Sequence, residues 1–237
     1  GIVRTMNPGL FSLRQAHLAM NAGLNVGNVL LSRGRHLDAA RVYAEVLDEA
    51  DMNPFLGTVV DRTDPQDRAL AHGKLGQALL RAGRPGEALK VLDKALRLDP
   101  DQQESVKYRN LAQAQLEQGK AAIAQLMKEV AADPDNLAAL RSLAVLHVML
   151  GDFDAGLDAL QKVLGREPEN PDNHYNIACV LARQGRRGEA LQSIARAVDL
   201  GFEDVKLLGT DPDLEGIRGS EAFRELERKV RHRKEKQ

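Results

Sequence analysis

The composition of this 237-residue chain indicates helices and disfavours nucleic-acid binding. Apolar residues make up 43%, enough for a core, but aromatic residues make up only 3% and tryptophan is absent. A core of Leu, Ala and Val with few strand-forming aromatic runs predicts an all-α fold. The 33 basic and 34 acidic residues nearly cancel, so the chain lacks the positive excess typical of nucleic-acid-binding proteins.

The single cysteine, Cys179, excludes an intramolecular disulfide framework and a zinc site built from several thiolates. No apolar run reaches the length of a membrane span, and no signal peptide is visible. We therefore expect a soluble protein, with cytoplasm and periplasm as open alternatives. The chain begins with Gly1 rather than Met, which suggests a cleaved tag, a processed precursor or a piece of a longer protein.

Two helix pairs are predicted in the first hundred residues, in segments 20–53 and 69–102, with an earlier helix start at Asn7-Pro8. The insertion between them, residues 54–68, contains the apolar residues Phe55, Leu56, Val59 and Val60. A segment this apolar is expected to fold onto the helices or to contact a partner. Asp64-Pro65 predicts the start of a long helix ending near Ala82.

Three further helix pairs are predicted in segments 103–136, 137–170 and 171–204. Acidic residues precede prolines spaced 34 and 34 apart, at Pro100, Pro134 and Pro168, where each second helix ends. A glycine is expected at each turn within a pair, because glycine permits the left-handed conformation there. These turn positions are Gly34, Gly83, Gly119, Gly151 and Gly185. After Gly119 the second helix is expected to begin about two residues early.

The repeat pattern changes after Asp204 into a predicted cap, residues 205–230. Ser220 is a candidate N-cap, and Phe223, Leu226 and Val230 share one helix face that could cover the last apolar surface of a repeat array. The basic tail, residues 231–237, fits a soluble helix C-terminus. The alternative is that this tail contacts an acidic partner or a membrane surface.

The unit in residues 69–102 resembles the tetratricopeptide repeat. It contains Leu75-Gly76, Leu79, the turn Gly83-Arg84-Pro85, Ala88, Leu92, Ala95 and Asp99-Pro100. The resemblance implies a right-handed α-solenoid of about five antiparallel helix pairs, as a single domain over residues 1–237 with a C-terminal cap. The ending Asp211-Pro212-Asp213-Leu214 is similar to that of many bacterial members of this family.

The sequence offers no catalytic residues, metal site or cofactor site. The six histidines have no metal-ligand spacing, and motifs for phosphate-binding loops, haem attachment and activated serine are absent. Cys179 lies beside the small residue Ala178 in a predicted first helix, which favours a buried thiol over a reactive one.

The resemblance also implies that the first helices line a concave surface on which partner proteins or peptides bind. We expect this surface to include Asn28, Lys74, Gln77, Arg81, Arg109, Asn110, Gln113, Arg141, Tyr175, Asn176 and Arg183. Because Arg109 and Arg141 occupy equivalent slots and guanidinium groups pair with carboxylates, an acidic or C-terminal peptide segment is the expected ligand.

The favoured function is a non-catalytic protein-interaction scaffold, as an assembly factor or a subunit of a larger complex. The alternative is a regulatory or substrate-recruiting region of a larger enzyme. Cofactors and nucleic acids are not expected as partners, and the oligomeric state is left open.

Overall fold

The computed structural model describes residues 13–52 and 65–235, and every regular element within these ranges is helical. The elements include a 3-10 turn at Pro212–Leu214 and, in chain order, the helices α1 (Leu13–Ser32), α2 (His36–Met52), α3 (Pro65–Arg81), α4 (Pro85–Leu98), α5 (Gln103–Ala132), α6 (Leu137–Leu150), α7 (Phe153–Arg166), α8 (Pro171–Arg183), α9 (Arg187–Asp199), α10 (Val205–Thr210), α11 (Glu215–Arg218) and α12 (Glu221–Glu235). The all-α prediction is confirmed.

The described helices belong to two compact units. The first unit ends at Gln118 and the second begins at Gly119, so the boundary lies within α5. In the first unit α1 packs on α2 and α3 on α4, around Leu24, Tyr43 and Leu92. In the second unit α6 packs on α7 and α8 on α9, around Leu160 and Ile194.

Turns within the helix pairs form where glycine was predicted to allow them. Gly34, Gly83, Gly151 and Gly185 have φ values of 73°, 75°, 84° and 76°, in the left-handed region that residues with a Cβ rarely adopt. Side-chain caps reinforce several helix starts. The Asp152 carboxylate, for example, accepts a hydrogen bond from the Ala155 backbone N–H at the start of α7.

The predicted turn at Gly119 is wrong, because α5 continues through this residue for 30 residues in all. Two of the other second helices have a proline or a side-chain cap near their start, at Pro85 and Asp152. After Gly119 the chain instead continues Lys120-Ala121-Ala122, which lacks both signals and contains strong helix formers. The helix hydrogen bonds therefore continue, and segment 103–136 forms one helix instead of a pair.

Small residues in the first helices let the two helices of a pair approach closely. A Cβ atom on Gly76 would lie 2.4 Å from the Leu92 γ-carbon of α4, and one on Gly27 would lie 2.3 Å from the Tyr43 ring of α2. Leu92 and Tyr43 are themselves fully buried, so they have little room to move. The prediction that these slots require small residues has this physical basis.

The C-terminal segment covers the last repeat, as the sequence predicted. Phe223 and Val230 of α12 are buried in the core of the second unit, and the Phe223 backbone N–H donates to the Ser220 hydroxyl. The predicted insertion residues Phe55, Leu56, Val59 and Val60, and the helix start at Asn7-Pro8, lie outside the described residues.

Replacing Gly76 by Val should lower the free energy of unfolding by about 1–3 kcal/mol, because the added carbons overlap Leu92. Urea denaturation followed by circular dichroism would measure this change.

The control is Gly165→Ala in α7, where an added Cβ meets nothing within 4 Å. This variant should gain about 0.5–1 kcal/mol, since alanine favours the helix. Equal stability of Gly76→Val and the wild type would contradict close packing at this slot.

Candidate functional site

A cleft between α3 and α5 brings together two of the predicted site residues within the first unit. This α3–α5 cleft has a volume of about 280 Å³ and is lined by Leu70, Gly73, Lys74, Gln77, Gln102, Gln103, Glu104, Ser105 and Tyr108. The four α3 residues have i, i+3, i+4 and i+7 spacing, which places them on one helix face. Lys74 and Gln77 were predicted from the sequence, whereas the other lining residues were not.

Hydrogen bonds fix the polar side chains that line the cleft. The Gln77 Nε2 amide donates to the Tyr108 hydroxyl, and the Ser105 hydroxyl donates to Gln102 Oε1. Each of the two bonds uses only part of the glutamine amide, which has two N–H donors and a carbonyl oxygen with two lone pairs. Further hydrogen-bonding capacity is therefore held in place at the cleft.

Lys74 and Glu104 form the charged part of the cleft. The Lys74 ammonium lies 3.6 Å from the Glu104 carboxylate, across from α3 to α5. The lysine side chain is half-buried, while the glutamate is exposed. An exposed pair of this kind contributes little to stability and can exchange partners.

Gly73 and Leu70 give the α3 side of the cleft its shape and its apolar character. A Cβ at Gly73 would lie 2.5 Å from both Gln102 Oε1 and Ser105 Oγ, so the two helices meet here across a bare backbone. Leu70 is 42% exposed and presents its apolar side chain at the cleft. The cleft thus combines one apolar contact surface with fixed amides.

The remaining predicted residues of the first unit lie outside this cleft. Asn28 is exposed and accepts a hydrogen bond of 2.9 Å from the Tyr43 hydroxyl. Burial raises the pKa of Tyr43 to about 12, so the hydroxyl keeps its proton for this bond.

Three other predicted residues of the first unit, Arg81, Asn110 and Gln113, are exposed. Gln113 donates a hydrogen bond to Glu117 on the next helical turn.

Arg109 and Arg141, the two arginines predicted to bind an acidic ligand, are each paired with a carboxylate of their own unit. Arg109 Nε lies 2.7 Å from Asp93 on α4, and Arg141 lies 2.5 Å from Glu167 at the end of α7. Hydrogen bonds from Asn170 and from Arg141 lower the pKa of Glu167. An acidic ligand must therefore compete with these internal carboxylates.

Two of the three α8 residues predicted for the groove contact the C-terminal segment. The Tyr175 ring stacks on Phe202 with centroids 4.6 Å apart and planes within 5°, and its hydroxyl donates to Asp211 at 2.5 Å. Arg183 lies 4.9 Å above the Phe153 ring and 3.8 Å from Asp213. Both residues are buried or nearly so, and they hold the cap instead of facing solvent.

Cys179 lies next to Tyr175 on the same face, with its sulfur 3.7 Å from Asp211. Burial raises the pKa of the Cys179 thiol, and the Asp211 carboxylate raises it further. A protonated, buried thiol is a poor nucleophile. Among the predicted α8 residues, only Asn176 is exposed.

Neither a metal cluster nor a membrane span is found in the described residues. Within residues 13–52 and 65–235, no group of three or more His, Cys, Asp or Glu side chains is arranged to hold a metal ion. No helix in the described part of the chain combines the length and the hydrophobicity needed to cross a bilayer.

Replacing Tyr175 by Phe should destabilise the second unit by about 1 kcal/mol, because the Asp211 carboxylate loses a hydrogen-bond donor. Chemical denaturation of the wild type and the variant would measure the change. Asn176→Ala is the matched control, since this neighbouring side chain is exposed and should change stability by less than about 0.5 kcal/mol. Equal effects of the two substitutions would contradict a stabilising contact between Tyr175 of α8 and Asp211 of the C-terminal segment.

Comparison with known proteins gives one family over most of the chain. A profile of the tetratricopeptide repeat matches residues 27–103, 109–171 and 143–201. A chloroplastic protein of Arabidopsis thaliana is 33% identical over 76 residues, which cover 31% of this chain and 23% of that protein. The human FK506-binding protein-like is 31% identical over 140 residues, covering 59% of this chain and 38% of that protein. The chain therefore spans well under half the length of these relatives.

Solved structures with some similarity include those of MamA and YrrB. MamA 41-end from Desulfovibrio magneticus RS-1 is 22% identical with a TM-score of 0.34, and the match covers 77% of this chain and 94% of that one. YrrB, described as a TPR protein with an unusual peptide-binding site, is 21% identical with a TM-score of 0.37, covering 80% and 90%.

Proposed function

Because this chain belongs to the tetratricopeptide repeat family, we propose that it is a non-catalytic scaffold that binds a segment of a partner protein in the α3–α5 cleft. The observation that carries this proposal is the cleft itself, where fixed amides lie beside an exposed leucine. Such a combination suits an extended peptide, whose backbone needs hydrogen-bond partners and whose side chains need apolar contacts.

The size of the cleft sets the length of segment that it can hold. Leu70 to Gln77 spans seven helical steps, or about 10 Å along α3. An extended chain advances about 3.3 Å per residue, so about three residues of a partner would lie along this side. The apolar side chain of one residue would contact Leu70, while neighbouring backbone groups would reach the amides of Gln77 and Gln102.

The charge of the ligand follows from the pairs already present. Lys74 can exchange Glu104 for a ligand carboxylate at small cost, because the existing pair is exposed on one side. Arg109 could bind an acidic residue only by releasing Asp93. We therefore favour a segment with one acidic residue or a C-terminal carboxylate near Lys74, a narrower version of the acidic or C-terminal peptide ligand expected from the sequence.

Leu70→Asp should weaken binding of the partner at least tenfold, or about 1.4 kcal/mol, because the substitution places a carboxylate where apolar contact is needed. The wild type and the variant would each be immobilised, and the retained proteins identified by mass spectrometry and titrated. Leu111→Asp is the control, since Leu111 is similarly exposed at 47% on α5 but does not line the cleft. Retention of the same proteins by all three chains would remove the cleft as the site.

The two arginine pairs allow a separate test of the acidic-ligand proposal. Asp93→Asn removes the negative charge paired with Arg109, and Glu167→Gln removes the one paired with Arg141. If an acidic segment binds these guanidinium groups, both variants should bind the identified partner more tightly, and the gain should shrink with added salt. Unchanged affinity in both variants, with a loss in Lys74→Ala, would assign the ligand carboxylate to Lys74 alone.

A second candidate function is favoured by the length of the relatives. The matched region covers 23% of one curated relative and 38% of another, so both carry this kind of segment within a longer protein. By the same organisation, this chain would be the recruiting region of a larger enzyme, with the cleft holding the enzyme's substrate protein. The full reading frame at the gene would distinguish the two functions.

A further inference from the structure

Helix α12 presents three exposed arginines on one side, here called the α12 arginine row. Its members are Arg224, Arg228 and Arg231, whose side chains are 61%, 67% and 59% exposed. Their i, i+4 and i+7 spacing aligns them along the helix over about 10 Å. Another side of α12, with Phe223 and Val230, is buried in the core of the second unit. The row therefore faces outward on a helix that the core holds in place.

Two other basic residues of α12 fix the end of this helix against α9. Lys229 Nζ lies 2.6 Å from the Asp199 carboxylate, and Arg233 donates a hydrogen bond of 2.8 Å to the Val198 carbonyl oxygen. The basic residues of α12 thus have two different surroundings. One set contacts the neighbouring helix, and the arginine row faces solvent.

The carboxylates paired with the arginine row belong to α12 itself. Glu221 lies 3.8 Å from Arg224 and 2.8 Å from Arg228, and Glu227 lies 2.6 Å from Arg231. Pairs as exposed as these contribute little to stability, so the arginines can exchange them for an external anion. Because two carboxylates face three guanidinium groups, the row keeps an excess of positive charge.

Helix stability alone does not account for this excess. The helix dipole favours cations in the last turn, whereas Arg224 lies near the start of α12, where the dipole favours acidic side chains. Charge is also segregated along the chain. Residues 228–237 contain six basic residues and one acidic residue, although the whole chain has 33 basic and 34 acidic residues. A local positive region on an otherwise acidic chain attracts a polyanion at that place.

We propose that the α12 arginine row binds the phosphate headgroups of an anionic lipid surface. A row on the outside of a single helix can reach a flat surface without a complementary shape. A peptide is instead held in a concave site that offers hydrogen-bond partners to its backbone, as the α3–α5 cleft does. Guanidinium groups also match the geometry of phosphate oxygens, with which they form paired hydrogen bonds.

The contact should be electrostatic and sensitive to salt. The apolar residues Phe223 and Val230 are buried in the core, so α12 would lie on the headgroups without inserting an apolar face between the lipid chains. Raising the salt from about 0.1 to 1 M shortens the Debye length from about 10 to 3 Å, which should release the protein. At physiological salt the screening length is about 8 Å, so acidic residues farther from the surface would oppose binding only weakly.

Arg228→Gln combined with Arg231→Gln should weaken binding to anionic vesicles at least tenfold, because each basic residue near such a surface strengthens binding by about fivefold. Cosedimentation of the full chain with vesicles of phosphatidylcholine containing about 30% phosphatidylglycerol would measure the change. Arg166→Gln with Arg187→Gln is the matched control. These exposed arginines lie on α7 and α9, and their loss changes the net charge equally, so the control should bind as the wild type does.

A second pair of substitutions should strengthen binding, which a folding defect could not do. Glu221→Gln with Glu227→Gln removes the two carboxylates that compete for the row, so a larger fraction should sediment at the same lipid concentration. Glu169→Gln with Glu203→Gln, at exposed positions of the same unit, is the control and should stay close to the wild type.

Several results would overturn the proposal. They are equal sedimentation with and without phosphatidylglycerol, equal losses in the two arginine variants, and no gain from the substitutions at Glu221 and Glu227. Capture of the chain by duplex DNA or by polyglutamate, with none by the anionic vesicles, would assign the row to another class of polyanion and would equally exclude a lipid surface.

Discussion

The close approach of the two helices in each pair is the constraint on which the fold depends. The side chain of Leu92 packs directly against Gly76, and that of Tyr43 packs directly against Gly27. A side chain larger than glycine's at either position would overlap them. Burying these large side chains against a bare backbone removes apolar surface from water without leaving a cavity. The same slot in the second unit holds Ala144 and Ala178, which are also buried.

Where the sequence lacks the signals for a turn, one long helix forms instead of a helix pair. Close packing within a pair requires a turn, and a turn requires signals that stop one helix and start the next. After Gly119 the Lys-Ala-Ala sequence supplies neither a cap nor a proline, and α5 runs on across the boundary between the two units. The 30-residue helix α5 therefore stands where the repeat spacing predicted a helix pair.

Pairing between side chains decides which polar groups remain available to a ligand. Tyr175 and Arg183 would face outward by repeat position, but Asp211 and Asp213 of the C-terminal segment engage them. In the α3–α5 cleft, by contrast, the bonds of Gln77 and Gln102 leave part of each amide unused. Polar residues of the first helices thus contact the C-terminal segment in the second unit and line a candidate binding surface in the first.

The sequence by itself determined the helical class, the turns at Gly34, Gly83, Gly151 and Gly185, and the capping role of Phe223 and Val230. Apolar periodicity and glycine conformation act over a few residues, so they can be recognised along the chain. Only the tertiary structure decided which polar side chains pair with one another and which stay available to a ligand. Asp93 lies 16 residues from Arg109, and Asp211 lies 36 residues from Tyr175. Which carboxylate reaches which donor depends on how helices distant in sequence are packed, and residue spacing carries no record of that packing.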